Sequence, residues 1–326
     1  MGKQKQAGKA FEFAVARGFI HLLGEDKIEV LSPREMEAAQ VDFDSLGAQV
    51  QAELLTAVQA PLRTIEELEP HLQVVRAGIE KLSMTFLPDS AGAEGDVRDL
   101  VLSLPHRNWQ IGISAKHNHE AVKHSRLSAA LDFGQKWLQL PVSADYFHEI
   151  APVFAFIEAQ IKEGKLWSDL EAKEELVYTP ILTAFCRELK ELDRLHSGLV
   201  APRLVEYLIG RRDFYKLMKF NRCTKLQMFN FRGELSRSCN RISSAYHCER
   251  IRLPTRIVEI DYKRGADSRE SGNTLWLILD AGWQLSLRLH SASSRVERSL
   301  KFDIKFEGLP TSIESLCYFN NDEPCV

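Results

Sequence analysis

Residues 95–128 read GDVRDLVLSLPHRNWQIGISAKHNHEAVKHSRLS and contain the densest cluster of reactive side chains in the chain. The runs Asp99–Leu104 and Trp109–Ala115 predict two strands, which the segment Pro105–Asn108 joins as a hairpin. Side chains alternate along a strand, so Ser114 and Lys116 point to the same face. Adjacent strands lie only about 4.8 Å apart. An acid that opens the first strand and the lysine that ends the second can therefore share one pocket.

Two acids, Asp96 and Asp99, lie at the start of the first strand. Carboxylates are the hard oxygen ligands that suit Mg²⁺, and a bound Mg²⁺ beside a lysine can activate a water for attack on a phosphate. The layout resembles the PD-(D/E)XK nucleases, in which a carboxylate also stands two residues before the lysine. We favour Asp99 as the principal metal ligand because it directly opens the apolar strand. In the alternative, Asp96 is the ligand, and Asp99 pairs with Arg98 or with a lysine.

Longer strings carry a more specific resemblance. The segment quoted above, followed by LDFGQKW at residues 131–137, resembles the signature of the HaeIII-type restriction endonucleases. The segment LRLHSASSRVERSLKFDI at 287–304 resembles the C-terminal part of that family, and GKAFEFAVA at 8–16 resembles the helix before its nuclease core. The resemblance implies a Mg²⁺-dependent type II enzyme that cuts double-stranded DNA, with GGCC as the expected palindromic target. It also implies a restriction–modification system with a partner cytosine methyltransferase.

Ser114 departs from the PD-(D/E)XK pattern, which places Asp or Glu two residues before the lysine. A neutral hydroxyl is a poorer Mg²⁺ ligand than a carboxylate, so another acid is expected to complete the site. Glu12, on the predicted first helix, is our first choice, and Glu120 and Asp96 are the alternatives. Ser114 then occupies the vacant acidic position, and Lys116 assists the attacking water.

Basic and polar side chains that follow the lysine are candidates for contacts with DNA phosphates. Those nearest to it in sequence are His117, Asn118, His119, Lys123, His124 and Arg126. Reading of guanine bases calls for arginine or lysine donors in the major groove. From the later basic segments we include Arg241, Arg295 and Lys301 among the predicted DNA-binding residues.

Charge is distributed unevenly along the chain. The net charge is −3, yet residues 1–100 hold 10 Lys and Arg against 17 Asp and Glu, whereas residues 203–256 hold 13 against 4. The second segment therefore carries a net charge of +9 in an otherwise acidic protein. Such a block can attract phosphates, although it is also compatible with a solvated surface that balances the acidic half.

The periodicity predicts an α/β fold: a mixed β-sheet nuclease core flanked by helices, with a helical N-terminal part and a β-rich C-terminal part. Ala7–Leu23 has one apolar stripe at helical spacing, and Ser32 before Pro33 predicts the start of a second helix. Helices are expected again from 125 to 140 and in several segments to 209. Strands are expected at 226–231, 256–262, 274–279, 284–289 and 300–306, with a turn at 280–283. We predict a nuclease part at 1–210 and a DNA-recognition part at 211–326.

Other features of the sequence bear on where the protein is located and on which alternative functions it could have. The sequence has no apolar run long enough for a membrane helix and no apolar signal segment at its start, so a cytoplasmic protein with free thiols is expected. One alternative is a DNA-binding protein that has lost catalysis at Ser114. A second is a zinc-dependent hydrolase that uses His117, His119 and His124. A zinc site could also be imagined from Cys223, Cys239, Cys248 and His247. The spacing of these residues matches no zinc-finger or zinc-ribbon pattern. The sequence leaves open whether the chain is a monomer or a dimer.

Overall fold

The computed structural model describes residues 3–88, 96–118, 122–239, 242, 244, 246–264 and 270–319. The α-helices are α1 (Lys3–Leu23), α2 (Pro33–Asp44), α3 (Ala48–Leu68), α4 (Pro70–Arg76), α5 (Ala144–Lys162), α6 (Thr179–Leu195) and α7 (Val200–Ile209). The strands are β1 (Ile28–Val30), β2 (Leu82–Phe86), β3 (Leu100–Leu104), β4 (Trp109–His117), β5 (Arg126–Ser128), β6 (Phe214–Lys219), β7 (Cys223–Phe229), β8 (Ile257–Arg264), β9 (Glu270–Leu279), β10 (Gln284–His290), β11 (Ser299–Gly308) and β12 (Ser315–Phe319). The predicted α/β class, with a helical N-terminal part and a strand-rich C-terminal part, is confirmed.

The chain forms two compact units, each built from separate segments. Unit 1 comprises 1–120, 211–251 and 311–326, and unit 2 comprises 121–210 and 252–310. The units do not follow the predicted division at residue 210, because β6 and β7 pair in the same sheet as β4. The assignment of DNA recognition to residues 211–326 stays a prediction.

Unit 1 contains a seven-stranded mixed sheet with the order β1-β2-β3-β4-β6-β7-β12. The pairs β1–β2 and β4–β6 are parallel, and the other neighbours are antiparallel. On one face, Ile111, Ile113 and Ala115 of β4 join the hydrophobic core, to which α1 and α3 also contribute. Alternation along β4 directs Ser114 and Lys116 to the opposite face.

The predicted hairpin is confirmed as β3 and β4, which pair antiparallel from Leu100 opposite Ile113 to Leu104 opposite Trp109. A short 3₁₀ turn at Pro105–Arg107 joins them, and Asn108 closes the turn in the left-handed conformation with φ 49°. Asparagine is one of the few residues that tolerate this conformation. The hairpin places residue 99, just before β3, beside the last residues of β4.

The apolar stripe of the first helix is confirmed, because Phe11, Val15 and Phe19 are fully buried in the core of unit 1. The second helix begins at Pro33 as predicted. Ser32, however, makes no capping hydrogen bond to its own helix. Its Oγ instead accepts a hydrogen bond of 2.6 Å from the backbone N–H of Phe86, at the end of β2. The predicted helix cap therefore connects two elements that are distant in sequence.

The sequence reading missed β6, which lies at the centre of the sheet between β4 and β7. All six of its side chains are buried, including those of Lys216 and Lys219. The strand shows no alternation of apolar and polar residues because neither face is open to water. The sequence analysis also did not predict β1, β2, β5 and β12.

Unit 2 contains a five-stranded antiparallel sheet with the order β5-β11-β10-β9-β8. Four of the predicted strands are confirmed as β8, β9, β10 and β11, and the predicted run at 226–231 corresponds to β7 of unit 1. The turn at 280–283 joins β9 to β10, with φ 56° at Ala281 and 86° at Gly282. Positive φ at both central residues is the conformation that a two-residue hairpin turn requires.

The helix predicted over 125–140 is wrong. The chain forms the short strand β5, which pairs with residues 299–301 of β11, and then a π-helical turn at Gly134–Leu138. A β-carbon at Gly134 would lie 2.4 Å from the carbonyl oxygen of Leu140, so this turn is tightly closed. The strand forms because a distant partner binds its backbone, and local periodicity carries no information on that partner.

No helix within the described ranges is both long and apolar enough to cross a bilayer. The thiols of Cys186, Cys223, Cys239, Cys248 and Cys317 are free, as predicted, and Cys325 lies outside the described residues.

A buried carboxyl connects α4 to the segment that follows β7. Glu69 is fully buried, and its Oε1 accepts hydrogen bonds from the Tyr215 hydroxyl (2.6 Å) and from the backbone N–H of Ser236 (2.9 Å). Burial raises the pKa of Glu69 to about 8, although the two hydrogen bonds act in the opposite direction. The folded protein therefore retains a proton that the unfolded chain releases above its ordinary pKa of 4.5.

Glu69 is expected to make the stability of unit 1 depend on pH. Between pH 4.5 and 8 the folded state binds more protons than the unfolded state, so the free energy of unfolding should fall as the pH rises. Glu69→Gln should remove this dependence, and the variant should gain up to about 4 kcal/mol relative to the parent between pH 5 and 8.5. Urea unfolding at several pH values measures the difference. The control is Glu53→Gln, which makes the same change on the exposed face of α3.

Candidate active site

The Asp99 carboxylate lies at the centre of a group of side chains at one end of the β3–β4 hairpin. Its Oδ2 accepts hydrogen bonds from the backbone N–H of Ala115 (2.7 Å), the Ser114 hydroxyl (3.3 Å) and Lys116 Nζ (3.0 Å). Its Oδ1 lies 3.3 Å from the same ammonium. The backbone N–H of Asp99 also donates to the carbonyl of Ile113 (2.8 Å). The structure thus brings together the acid and the lysine that the sequence predicted to share a pocket.

Glu12 of α1 also belongs to this group. Its pKa is raised to about 7: burial is the largest cause, the neighbouring charge of Asp99 acts in the same direction, and Lys9 and Lys116 act in the opposite direction. Lys9 Nζ lies 2.8 Å from Glu12 Oε2. The effect of the Asp99 charge on Glu12 shows that the two carboxyl groups belong to the same cluster. The structure therefore places the predicted helix-borne glutamate beside Asp99 and Lys116.

Asp96 has a different partner. Its two carboxylate oxygens accept hydrogen bonds from Arg98 Nε (2.8 Å) and Nη2 (2.6 Å). Burial alone would raise the pKa of Asp96, but the hydrogen bonds and charge of Arg98 outweigh burial, and the pKa lies below its ordinary value. Asp96 thus pairs with Arg98 and Asp99 pairs with Lys116, and which of the two acids binds a metal stays a prediction.

The sequence analysis missed the contact between Arg98 and Gly112, which allows Arg98 to reach Asp96. The stem of Arg98 crosses β4 at Gly112, where a β-carbon would lie 2.0 Å from Arg98 Cδ. A glycine inside a strand is a signal of such a close approach. That signal was present in the sequence, but it did not identify Arg98 as the residue that crosses.

Comparison with known proteins agrees with this geometry. The model of the HaeIII restriction endonuclease family matches residues 8–310. The chain is 37% identical over 318 residues to the type II restriction enzyme HaeIII of Haemophilus aegyptius, a match that covers 95% of this chain and 96% of that protein. No solved structure matches.

The chain belongs to the HaeIII restriction endonuclease family. It is a type II site-specific deoxyribonuclease that acts on double-stranded DNA, and it functions in restriction–modification. Enzymes of this kind generally use divalent metal ions. The resemblance on which the sequence analysis relied is confirmed, and the alternative of a protein that has lost catalysis is not.

The residues that follow Lys116 lie at the end of β4. His117 is half-buried, and burial and the charge of Lys219 lower its pKa. Its ring packs against Phe11, with a distance of 6.3 Å between ring centroids. Asn118 has a positive φ of 50°, and its backbone N–H donates to the carbonyl of Lys219. Contact of His117 and Asn118 with DNA stays a prediction.

The remaining predicted DNA-binding residues fall into two groups. His119 and Arg241 lie outside the described residues, as does the alternative ligand Glu120. The others belong to unit 2: Lys123, His124, Arg126, Arg295 and Lys301. Their contacts with DNA stay predictions.

The basic residues of unit 2 differ in their partners and in their exposure to solvent. The Lys123 ammonium donates to the Tyr207 carbonyl (2.9 Å) and lies 3.8 Å from the centre of the Tyr207 ring. Burial, with a smaller effect of Lys136, lowers the pKa of Lys123 to about 8. Arg126 is more exposed and pairs in strand register with Lys301. Arg126 is exposed, whereas Lys123 and Lys301 are both only partly exposed, so Arg126 is the most accessible of the three.

The described residues do not support the zinc alternatives. Within the described ranges, no three His, Cys, Asp or Glu side chains are grouped so that they could hold a metal ion. His119, which the first of these alternatives needs, lies outside the described residues. Burial raises the pKa of the Cys239 and Cys248 thiols, which disfavours the thiolate form that zinc requires.

Gly112→Ala is expected to displace Arg98 and weaken its pairing with Asp96. The added methyl group overlaps the Arg98 stem, so the free energy of unfolding should fall by about 1–3 kcal/mol. The control is Gly8→Ala in α1, where an added β-carbon meets nothing within 4 Å. That change should leave stability unaltered or raise it by up to about 1 kcal/mol. Equal effects of the two substitutions in urea unfolding would contradict the close approach.

Proposed function

We propose that this chain cuts double-stranded DNA at GGCC in a Mg²⁺-dependent reaction, with Asp99 and Glu12 as metal ligands and Lys116 as the residue that assists the attacking water. The observation that carries the proposal is the contact of the Asp99 carboxylate with Ala115, Ser114 and Lys116 beside Glu12. The GGCC target comes from the similarity to HaeIII, and the metal comes from the chemistry of the site.

The donor atoms fit a hard divalent cation. Glu12 and Asp99 provide carboxylate oxygens, which Mg²⁺ prefers, and Mg²⁺ commonly needs only one or two carboxylates together with water and substrate oxygens. Burial is the main cause of the raised pKa of Glu12 and the charge of Asp99 adds to it, so a cation between the two carboxylates would favour the charged form of Glu12. Lys9 and Lys116 offset part of this negative charge. Asp96 is the weaker candidate because Arg98 occupies both of its oxygens.

Hydrolysis forms a bond between a water oxygen and phosphorus and breaks the bond from phosphorus to O3′, so that the products carry 5′-phosphate and 3′-hydroxyl ends. Bound Mg²⁺ would stabilise the negative charge that develops on the phosphate. The Lys116 ammonium, held by Asp99, donates a hydrogen bond that orients the attacking water. The proton that the water loses passes to solvent.

Ser114 orients the carboxylate in this scheme and is not a metal ligand. Its side chain is 1% exposed, and its hydroxyl donates to Asp99 Oδ2. The hydroxyl therefore occupies the position at which related nucleases carry an acid, while Glu12 provides the second carboxylate from α1. This arrangement keeps two carboxylates in the site even though the strand provides only one.

The function also implies partners. A cytosine methyltransferase that modifies GGCC would protect the host DNA, and the enzyme would meet incoming DNA in the cytoplasm. The palindromic target is compatible with cleavage by a dimer and with successive nicking by a monomer. The predicted DNA contacts of unit 2, with Arg126 and Lys301 foremost, would hold the duplex through its phosphates.

Digestion of a defined plasmid with and without Mg²⁺ tests this function. The parent should give discrete bands that map to GGCC. Asp99→Asn and Lys116→Ala should each lower the cleavage rate about a thousandfold, because each removes charge from the reacting centre. Asp96→Asn, the matched control, should retain most of the activity.

Three outcomes would contradict the proposal in different ways. Bands at another sequence would keep the nuclease and overturn the target. Equal cleavage with and without Mg²⁺ would overturn the metal requirement. Loss of activity in Asp96→Asn with full activity in Asp99→Asn would reverse the assignment of the ligand.

Glu12→Gln is expected to raise the Mg²⁺ concentration needed for half-maximal cleavage by about 10–100-fold, as weakened metal binding predicts. The control is Glu35→Gln, because Glu35 lines the same 230 Å³ cavity as Glu12 but is not among the groups whose charge shifts the pKa of Glu12. Titration of the initial rate against Mg²⁺ separates the two variants. A Glu12→Gln enzyme with a lower maximal rate and an unchanged Mg²⁺ requirement would show that Glu12 is not a ligand.

A further inference from the structure

The face of the sheet that carries Lys116 continues across the strands beyond β4. Lys116 is paired in register with Met218 of β6, and Met218 is paired with Lys225 of β7. Residues that pair directly across strands project from the same face of a sheet. Lys225 therefore lies on the same face as the lysine of the active site, two strands away and opposite to the core. Both lysines lie at the end of the sheet where β4 and β6 end and β7 begins.

Lys225 is accessible on this face. The residue is partly exposed, and its neighbour in register on the edge strand β12, Cys317, is exposed. Lys116 is also partly open, with 27% of its side chain exposed. Among the described residues, no carboxylate and no other hydrogen-bond acceptor pairs with the Lys225 ammonium. A ligand that lies along this face can therefore contact both ammonium groups.

The charged residues are distributed unevenly about β4. The carboxylates of the site come from α1 and from the residue before β3, as Glu12 and Asp99. The strands on the other side of β4, which are β6, β7 and β12, contain three lysines and no Asp or Glu. Two of these lysines, Lys216 and Lys225, project from the face of Lys116. This side of the active-site lysine therefore favours an anion over a cation.

We propose that Lys225 binds a backbone phosphate of the DNA strand that is cut, one or two nucleotides from the phosphate at Lys116. Neighbouring strands lie about 4.8 Å apart, so the backbones of β4 and β7 are separated by about 10 Å. The long and flexible stems of the two lysines can adjust that separation to the spacing of phosphates. An ammonium group donates strong charge-assisted hydrogen bonds to phosphate oxygens. The inference rests on the proposed function, which places the phosphate that is cut beside Asp99 and Lys116.

A contact of this kind positions the substrate and takes no part in the chemistry. Two lysines on one face, with the buried Met218 between them, define a line that runs from the carboxylates across β4 and β6 to β7. A DNA strand held along that line has a fixed register with respect to Lys116. Phosphate contacts carry no base information, so Lys225 should act in the same way on every sequence.

Binding of a fluorescent GGCC duplex in EDTA tests the inference without cleavage. Each phosphate contact steepens the dependence of log K on log salt concentration by about 0.9. Lys225→Gln should reduce that slope by about 0.9 and weaken binding about tenfold at low salt, with the same loss on a duplex that lacks GGCC. Lys225→Arg, which keeps the charge, should retain the slope. The control is Lys81→Gln, an exposed lysine at the opposite end of the sheet, which should change neither quantity.

A second measurement locates the phosphate. Single phosphates of the duplex are replaced by neutral methylphosphonates, and one replacement within two nucleotides of the cut should weaken binding of the parent about tenfold. The same replacement should cost Lys225→Gln nothing further, because the partner of that phosphate is already gone. Urea unfolding of Lys225→Gln and Lys225→Arg checks that both variants are folded.

Cleavage kinetics distinguish positioning from catalysis. With Mg²⁺ present, Lys225→Gln should raise the enzyme concentration needed for half-maximal single-turnover cleavage about tenfold and leave the rate at saturation within about threefold of the parent. Lys116→Ala should instead lower the rate at saturation, because it removes a charge from the reacting centre.

The outcomes separate this inference from the proposed function. An unchanged salt slope in folded Lys225→Gln, or a methylphosphonate loss that stays the same in that variant at every position, would overturn the contact even if the parent cleaves GGCC. A loss confined to the GGCC duplex would also overturn it, because it would indicate a base contact. A parent that does not cleave would overturn the proposed function, and a reduced slope in Lys225→Gln would still support the phosphate contact, because binding is measured in EDTA.

Discussion

The active site depends on the way in which the Asp99 carboxylate extends the backbone hydrogen bonds of the β3–β4 hairpin. The backbone N–H of Asp99 donates to Ile113, and its side-chain Oδ2 accepts from the N–H of Ala115. Its carbonyl accepts from Leu87, beyond the end of β2. The Asp99 carboxylate thus accepts the hydrogen bond that the next backbone carbonyl of the β3–β4 ladder would otherwise accept. The position of the carboxylate is therefore set by the sheet itself, and Lys116 and Glu12 are arranged around it.

The ion pair between Asp99 and Lys116 contributes more to position than to stability. Both side chains retain some contact with solvent, and pairs of this kind stabilise a fold by only about 1 kcal/mol or less. Glu12 and Glu69 differ from this ion pair, because burial of their carboxyl groups costs free energy in the folded state. At Glu69 the hydrogen bonds from Tyr215 and Ser236 offset part of that cost within the fold. At Glu12 the offset comes from lysines of the site, so its charge responds to whatever ligand binds there.

Much of the fold and the centre of the site could be predicted from local sequence. The hairpin, the buried face of α1 and the strands of unit 2 follow from periodicity, and the presence of Asp99, Lys116 and Glu12 in one site followed from the resemblance and the hairpin. The features that were missed depend on distant partners. The strand β5 exists because β11 pairs with it, and β6 looked unlike a strand because its lysines are buried. The pairing of Asp96 with Arg98 depends on the close approach of Arg98 to Gly112, which no spacing rule provides.

The interleaving of the two units has a consequence for synthesis on the ribosome. The sheet of unit 1 receives β4 early, but its parallel neighbour β6 begins about a hundred residues later, and the edge strand β12 ends at residue 319. Most of unit 2 is translated between those strands or just before the last one. A nascent chain thus contains Asp99 and Lys116 long before the sheet around them is complete. The host genome would therefore meet an assembled nuclease only after β12 has been translated.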